Sequence, residues 1–309
     1  MKKILAINYS QTGQLDEIMD EFISSMTEFD VDRVKIEMIK KFEFPWTSPS
    51  FFDVMPECVN EVPAEISPII YKHKSYDLII LGYQPWFLSP SIPTISLLKN
   101  DTFKTVLNHT PIVTVIGARN MWLNSQISVV DLIEKAGGKI IGNLPLIDKA
   151  SNLLSAASIL HWMLNGKKER KWGLLPLPGV SQQDIKSAAS YGQLLRQHII
   201  AGELNVFQHA LVKLGGLIIN TNILFIEGRA KAIFKAWTSL ILKKEAAGAN
   251  RALWLEFFKY YLIVALFIIS PIVVLFYNVL IRPLTIRKIK AKKLQFSYLG
   301  MNKSVFITN

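Results

Sequence analysis

Two short, almost wholly apolar runs constrain the fold of this chain more than any other feature. Residues 77–82 read DLIILG and residues 111–117 read PIVTVIG, and each run ends in glycine. Such strands are typical of the centre of a parallel sheet that helices cover on both faces. Amphipathic stretches alternate with apolar runs over the first two hundred residues, which predicts a parallel α/β sheet. We expect strands near 3–9, 32–39, 76–82, 111–117 and 139–146, and helices near 13–27, 92–99, 125–136 and 181–201.

Two segments interrupt this alternation. Residues 42–71 are rich in proline and aromatic residues and predict an ordered loop or a short helix, with a short crossover helix near 63–72. Residues 150–180 form an insertion before the last helix of the domain. Its apolar residues predict a helix that ends near Asn165-Gly166. The basic cluster at 167–171 is interpreted as a solvated turn.

The positive charge of the chain is concentrated in its last third. The formal net charge is +11, and residues 1–202 hold 20 Lys and Arg against 20 Asp and Glu, so residues 203–309 hold 15 against 4. This division predicts a neutral globular domain over residues 1–201 and a basic tail over residues 202–309. Cys58 is the only cysteine, which excludes an intrachain disulfide and fits a reducing compartment.

The tail contains one segment that is suited to a membrane. Residues 203–250 predict one or two amphipathic helices, and residues 260–281 are free of charge and long enough to cross a bilayer core. Basic residues flank this segment on both sides, and Pro271 lies at its middle, where proline kinks or breaks a helix. We therefore expect a re-entrant or interface-lying helical hairpin, with a helix pair packed on the globular domain as the alternative.

Three predicted loops at the carboxyl ends of strands carry the residues of a candidate ligand site. Residues 10–14 (SQTGQ) join a strand to a helix, where backbone N–H groups and the helix dipole favour an anion. Because this loop lacks the Lys of a P-loop, it predicts a phosphate monoester held by neutral donors, or else a plain helix N-cap. Residues 82–87 (GYQPWF) and 117–122 (GARNMW) add aromatic rings and amide donors, and the three loops together suit a flavin mononucleotide.

These three motifs, in this order, resemble the flavodoxin-like fold over about residues 1–201. The resemblance implies a doubly wound, five-stranded parallel sheet of order 2-1-3-4-5 that binds FMN, with the phosphate on the first loop and the isoalloxazine between the other two. No metal site is predicted. For Trp86 and Trp122, ordinary core packing is the alternative. The implied cofactor-binding residues are Ser10, Gln11, Thr12, Gly13, Gln14, Gln84, Pro85, Trp86, Phe87, Arg119, Asn120, Met121 and Trp122.

The chain departs from a flavodoxin in its insertion and its apolar tail. The combination of SQTGQL, NMW, ILHWMLNGKKER and an apolar C-terminal segment resembles the dialkylresorcinol-forming aromatase family. Those bacterial proteins work beside a ketosynthase in making dialkylresorcinol lipids and flexirubin-type pigments. The resemblance implies an FMN-dependent oxidoreductase that converts a dialkyl-cyclohexane-1,3-dione to a dialkylresorcinol. We expect a lipid-like substrate, a partner ketosynthase and no nucleic-acid partner. The expected location is the cytoplasmic face of the inner membrane, and a homodimer is one possible oligomeric state.

The proton carrier and the exact reaction remain open from the sequence. Tyr83, His73 and His161 are the candidate proton carriers, although a buried structural histidine is an equal alternative for His161. A membrane-associated NAD(P)H-dependent quinone or flavin reductase is the second enzymatic interpretation. A membrane-tethered flavodoxin-type electron carrier and a flavin-free scaffold are the two alternatives without catalysis.

Overall fold

A parallel sheet of five strands forms the centre of the molecule. The computed structural model describes residues 1–301 of the 309-residue chain. The strands have the spatial order β2-β1-β3-β4-β5, and every neighbouring pair is parallel. This is the order of doubly wound flavodoxin-like folds, which confirms the predicted fold class. The strands are β1 (Lys3–Asn8), β2 (Asp30–Lys35), β3 (Leu78–Tyr83), β4 (Pro111–Ala118) and β5 (Lys139–Ile147).

The central strands are apolar because helices cover both faces of the sheet. Successive side chains of a strand point to opposite faces, so Leu5 and Ile79 join one buried cluster while Ile4 and Ile80 join another. The helices near residues 92–135 supply the first cluster, and the helices that begin at Gln14 and Gln182 supply the second. Every residue of β3 is buried, as a central strand requires.

The helices of the first two hundred residues lie close to their predicted positions, with one exception. The helix of the insertion ends at Asn165, and Gly166 follows it with φ +71°, the left-handed conformation that glycine adopts after a helix. The helices are α1 (Gln14–Ile23), α2 (Ser48–Asp53), α3 (Met55–Val59), α4 (Ile92–Lys99), α5 (Asp101–Leu107), α6 (Leu123–Lys135), α7 (Asn152–Asn165) and α8 (Gln182–Ala201).

The exception is the crossover between β2 and β3, where the prediction of a helix near 63–72 is wrong. Residues 63–72 contain no helix. Pro63 and Pro68 explain this, because proline disfavours the helical conformation in the residue before it and lacks a backbone N–H donor. The helices α2 and α3 occur earlier instead, and the Thr47 hydroxyl caps α2 by accepting the Ser50 N–H at 3.2 Å.

The first part of the tail packs against the sheet. The helix α9 (Phe207–Lys213) follows α8 after a short turn, and the side chain of Phe207 is fully buried. Gly142 on β5 provides the space, because a Cβ at residue 142 would lie 2.5 Å from Cε1 of Phe207. The helix α10 (Thr221–Ala246) comes next and contacts α3 and α6. The helical prediction for residues 203–250 is confirmed.

One continuous helix, residues 251–297, ends the described chain. It consists of α11 (Arg251–Val264), α12 (Ser270–Phe276) and α13 (Arg282–Ser297), joined by π-helical turns at Ala265–Ile269 and Tyr277–Ile281. The predicted hairpin is wrong, because the helix does not reverse at Pro271. Each π turn ends two residues before a proline, Pro271 or Pro283, and its wider ring of atoms accommodates the missing N–H and the bulky pyrrolidine.

Both ends of this long helix contact the part of the chain that surrounds the sheet. Near its start, the ring of Phe258 packs against Phe52 at 6.1 Å between centroids. Near its end, Phe296 is buried in a cluster on the sheet, and the Ser297 carbonyl accepts a hydrogen bond of 2.8 Å from Gln208 Nε2. Tyr277 between these ends is buried against Phe225, but most of the apolar side chains there are exposed, among them Ile268, Ile269, Ile272, Leu275, Phe276, Val279 and Leu280.

Candidate functional site

The loop between β1 and α1 is built to accept an anion. Gly13 caps α1 with φ +82°, and a Cβ there would meet nothing within 4 Å, so the space above it is open. The Ser10 hydroxyl accepts the Leu15 N–H at 3.2 Å, which leaves its own hydrogen to donate outward. Within residues 1–301, the backbone N–H groups of Thr12 and Gly13 make no hydrogen bond. Neutral donors of this loop therefore converge at the positive end of a helix dipole.

The two glutamine side chains of this loop bind other parts of the chain instead of facing its open side. Gln14 forms a pair of hydrogen bonds with the backbone of Val180, donating at 3.0 Å and accepting at 2.9 Å. Gln11 donates to the Glu43 carbonyl at 2.7 Å. The sequence predicts the Gln14 amide as a donor to the phosphate, and the structure uses it to hold the segment before α8 against the loop.

The loop after β3 forms a short antiparallel hairpin next to the anion loop. Residues 85–86 pair with residues 89–90. Trp86 is half-buried, and the rings of Phe42, Trp46 and Tyr9 lie nearly perpendicular to it at 5.2 Å, 5.5 Å and 6.2 Å between ring centroids. With its amide oxygen turned towards them, Gln84 accepts hydrogen bonds from the Gln11 N–H and from Trp86 Nε1 at 3.3 Å and 3.2 Å. Gln84 thus joins the first two predicted loops.

Three of the predicted ring contacts are occupied by packing. Phe87 belongs to an apolar cluster with Phe234 on α10, and Met121 packs against the same cluster. Trp122 is 2% exposed and lies in the core beside the sheet. For Trp122 the alternative of ordinary core packing describes the structure, and Phe87 and Met121 pack against the cluster that α10 and α11 form.

The loop after β4 presents a buried cation and amides. Arg119 Nη1 donates to both the carbonyl and Oδ1 of Asn152 at 2.9 Å. Burial lowers the pKa of the Arg119 guanidinium to about 10, while nearby Asp148 and Glu227 act in the opposite direction. Asn120 Nδ2 also donates to Asn152 Oδ1 at 2.9 Å. This network fixes the shape of the loop at the edge where the anion loop lies.

Glu227 is a site residue that the sequence analysis missed. It comes from α10, is 1% exposed, and its Oε1 accepts the Asn124 N–H at the start of α6 at 2.7 Å. The N-cap residue of α6 is Trp122, which has no acceptor, so Glu227 caps this helix from another element. Burial raises the Glu227 pKa to about 8, opposed by the N–H groups of α6 and by Lys231 and Arg119.

The sequence did hold a signal for Glu227. The buried residues of α10 recur at helical spacing, and Glu227 falls on that stripe between Leu224 and Phe234. A single carboxylate on an apolar stripe indicates a specific buried partner. That partner, Asn124, is 103 residues away in the sequence, and only the tertiary structure identifies it.

Two of the three predicted proton carriers are out of reach of a ligand at this edge. Tyr83 is fully buried and donates to Gln126 at 2.7 Å, and burial holds its pKa well above the usual value. His73 lies before β3, at the opposite edge of the sheet, where its Nε2 is 2.9 Å from Asp30. These placements correct both predictions. His161 lies on α7 with its ring near Asn165 and Glu169, and its role stays a prediction.

Comparisons with known proteins give solved structures of low similarity. No family model and no curated protein sequence matches the chain. A flavoprotein from Lactobacillus acidophilus in complex with FMN is 18% identical, with 47% of this chain and 93% of that chain covered and a TM-score of 0.39. A flavodoxin from the domain Archaea is 9% identical, with 64% and 99% covered and a TM-score of 0.33. RosB with a bound flavin-phosphate intermediate is 8% identical, with 71% and 92% covered and a TM-score of 0.33.

Proposed function

We propose that this chain is an FMN-dependent oxidoreductase that works at a membrane surface. One observation carries the proposal. The loops after β1, β3 and β4 leave the same edge of the sheet, and the first of them offers unpaired N–H donors and open space at Gly13. In doubly wound sheets of this order, ligands bind at that edge, beside the point where the strand order reverses, and FMN is the ligand that flavodoxins bind there.

The residues at this edge fit the two ends of FMN. We assign the phosphate to the N–H groups of Thr12 and Gly13 and to the hydroxyls of Ser10 and Thr12. These neutral donors, with the dipole of α1, suit the dianion of a monoester without an ion pair. We assign a ring contact to Trp86, which is half-buried beside the anion loop. Bound FMN would supply hydride transfer.

For the reaction, we favour the dehydrogenation of a dialkyl-cyclohexane-1,3-dione to a dialkylresorcinol, on the sequence resemblance. The ring would lose two hydrogens, one as a hydride, which FMN could accept, and one as a proton from carbon next to a carbonyl. Because a 1,3-dione is acidic, that proton needs no strong base. The proposal assigns the proton to neither Tyr83, which is buried and donates its hydroxyl hydrogen to Gln126, nor His73, which lies at the opposite edge of the sheet. A ketosynthase would supply the dione.

We propose that the long helix 251–297 lies in the interface of the cytoplasmic membrane leaflet. It is long and apolar enough to cross a bilayer, with a mean hydropathy of 2.6 over its most apolar part. Its two ends, at Phe258 and Phe296, both contact the domain around the sheet, and a crossing helix would place them on opposite sides. Exposed basic residues of α13 suit anionic lipid: Arg282, Arg287, Lys288, Lys290 and Lys292.

Cofactor binding tests the anion loop. The full chain, purified in detergent, should be yellow and release FMN on heating. We expect Thr12→Val to weaken FMN binding by about fivefold to 150-fold, which corresponds to the loss of about 1–3 kcal/mol for one hydrogen bond to a charged acceptor. Thr102→Val, at an exposed position of α5, should leave the affinity unchanged. An unchanged affinity in Thr12→Val would mean that residues 10–14 are only a helix cap.

Anaerobic reduction of the bound flavin tests the reaction. A dialkyl-cyclohexane-1,3-dione should bleach the flavin absorbance, and one equivalent of dialkylresorcinol should form for each flavin reduced. Bleaching by NAD(P)H alone would favour the quinone reductase. Bleaching by neither, in a protein that exchanges electrons with a redox partner, would favour the electron carrier.

Vesicle sedimentation tests the membrane proposal. We expect the full chain to bind vesicles that contain phosphatidylglycerol more strongly than neutral ones. Leu280→Asp should release it, because an exposed apolar side chain that enters the interface becomes charged. Leu214→Asp replaces an equally apolar exposed residue outside the long helix and serves as the control. Equal binding of both variants would remove the helix as the contact.

A further inference from the structure

A cavity of about 280 Å³, here called the loop cavity, lies at the carboxyl edge of the sheet. Its walls are the loop after β4, the loop after β5 and the segment 218–223 that leads into α10. At about 30 Å³ for each water molecule, its volume equals about nine waters, which is the scale of a small ring with a short chain. Its lining includes Asn120, Asp148 and Asn152 and the apolar Ile147, Ile219 and Ile223.

The charged residues of the lining are already paired. Asp148 accepts the Ala150 N–H at 2.9 Å through one oxygen and the Ser155 hydroxyl at 2.7 Å through the other, and the nearby Arg119 guanidinium compensates its charge. The Lys149 ammonium is bonded to Asp184. A charged ligand would therefore lose its hydration without gaining a counter-charge from these groups, so the loop cavity favours a neutral molecule.

One residue of the lining, Asn120, has a buried polar atom without a partner. Asn152 Oδ1 is shared by Arg119 Nη1 and Asn120 Nδ2, which occupies its acceptor capacity. Asn120 is 9% exposed, and its Oδ1 is a buried acceptor without a hydrogen bond among residues 1–301. An unpaired buried acceptor is costly, and a ligand that donates a hydrogen bond removes that cost. The ligand must accordingly carry an O–H or N–H donor.

We infer that the loop cavity binds a neutral molecule with a hydroxyl group, which donates to Asn120 Oδ1, and an aliphatic part, which packs on Ile147, Ile219 and Ile223. The isoleucines favour the aliphatic part by burial of its surface. Asn120 lies on the loop that the proposed function places beside the flavin. The further inference that this ligand is a substrate therefore rests on the proposed function. The binding itself requires no flavin.

A matched pair of probes tests the hydroxyl. 4-Propylphenol and its methyl ether, 4-propylanisole, have the same ring and chain, and only the phenol donates a hydrogen bond. Calorimetric titration of the full chain in detergent should show the phenol bound about tenfold more tightly, the effect of one neutral hydrogen bond to a buried acceptor. A titration of each probe into detergent without protein corrects for its partitioning into micelles. Equal affinities for the two probes would overturn the inference.

Two variants test the location. Ile223→Trp fills the loop cavity and should lower the affinity for 4-propylphenol by more than about tenfold, because its added volume replaces the ligand. Ile233→Trp carries the same change at an exposed position of the same helix and should bind like the wild type. Unchanged binding in a folded Ile223→Trp would place the phenol elsewhere. If Ile223→Trp does not fold, Asn120→Ala provides the test. This variant must lower the affinity for 4-propylphenol to the affinity for 4-propylanisole.

The flavin content of each preparation separates this inference from the proposed function. Protein that binds the phenol but holds no FMN would refute the proposed function and leave the binding site in place. Protein that holds FMN but does not distinguish the two probes would refute the site alone.

Discussion

Glu227→Gln probes the contact between α10 and the loop after β4. The variant keeps an oxygen that accepts the Asn124 N–H, but it cannot ionise. In the wild type, burial raises the Glu227 pKa from 4.5 to about 8. The folded state therefore holds the proton over a pH range in which the unfolded chain releases it. Folding is weakened as the pH rises through that range, and the variant lacks this dependence.

The magnitude follows from the two pKa values. Each pH unit between 4.5 and about 8 removes about 1.4 kcal/mol from the stability of the wild type, or about 5 kcal/mol over the whole range. The full contribution is present below pH 4.5 and is lost above about pH 8. We expect the free energy of unfolding of Glu227→Gln, relative to the wild type, to rise by several kcal/mol from pH 5 to pH 8.

Urea unfolding in detergent at pH 5, 6.5 and 8, followed by tryptophan fluorescence, measures this difference. Glu65→Gln changes an exposed carboxylate and is the matched control, with a difference that should not vary with pH. Parallel pH profiles for the wild type and Glu227→Gln would refute the reasoning, because they would mean that Glu227 ionises as readily in the folded chain as in the unfolded one.

Three further changes test the packing around the site. Gly142→Ala places a Cβ about where the Phe207 ring lies and should lower the free energy of unfolding by about 1–3 kcal/mol. The effect should appear as a lower melting temperature and faster proteolysis near α9, and an unchanged melting temperature would contradict the close fit. Arg251→Met removes hydrogen bonds of 2.7 and 2.9 Å to Glu57 and should destabilise the chain by about 1 kcal/mol, since the pair is partly exposed; a double-mutant cycle with Glu57→Gln isolates the pair. Cys58 is fully buried, which raises the pKa of its thiol, so a thiol reagent should label it only after unfolding, and rapid labelling of the folded chain would refute this burial.

Local patterns in the sequence predicted the elements because each pattern reports a local cause. The apolar runs at β3 and β4 identified central strands, since only strands covered on both faces lose every polar position. The Asn165-Gly166 pair marked the end of α7, since glycine adopts the left-handed conformation without a steric cost. The crossover helix near 63–72 was expected because parallel strands are usually joined by a helix, and it is wrong because Pro63 and Pro68 disfavour helix there.

The tertiary structure decided how the distant parts of the chain meet at the site. Gln14 was predicted to face a phosphate, but its amide pairs with Val180, 166 residues away. Pro271 was predicted to kink or break a helix within a hairpin, but a π turn before it keeps the helix continuous. Such pairings depend on which surfaces pack together, and a periodic pattern identifies an apolar face without identifying its partner. The sequence by itself therefore determined the sheet and the three loops, whereas only packing determined which of their side chains face a ligand.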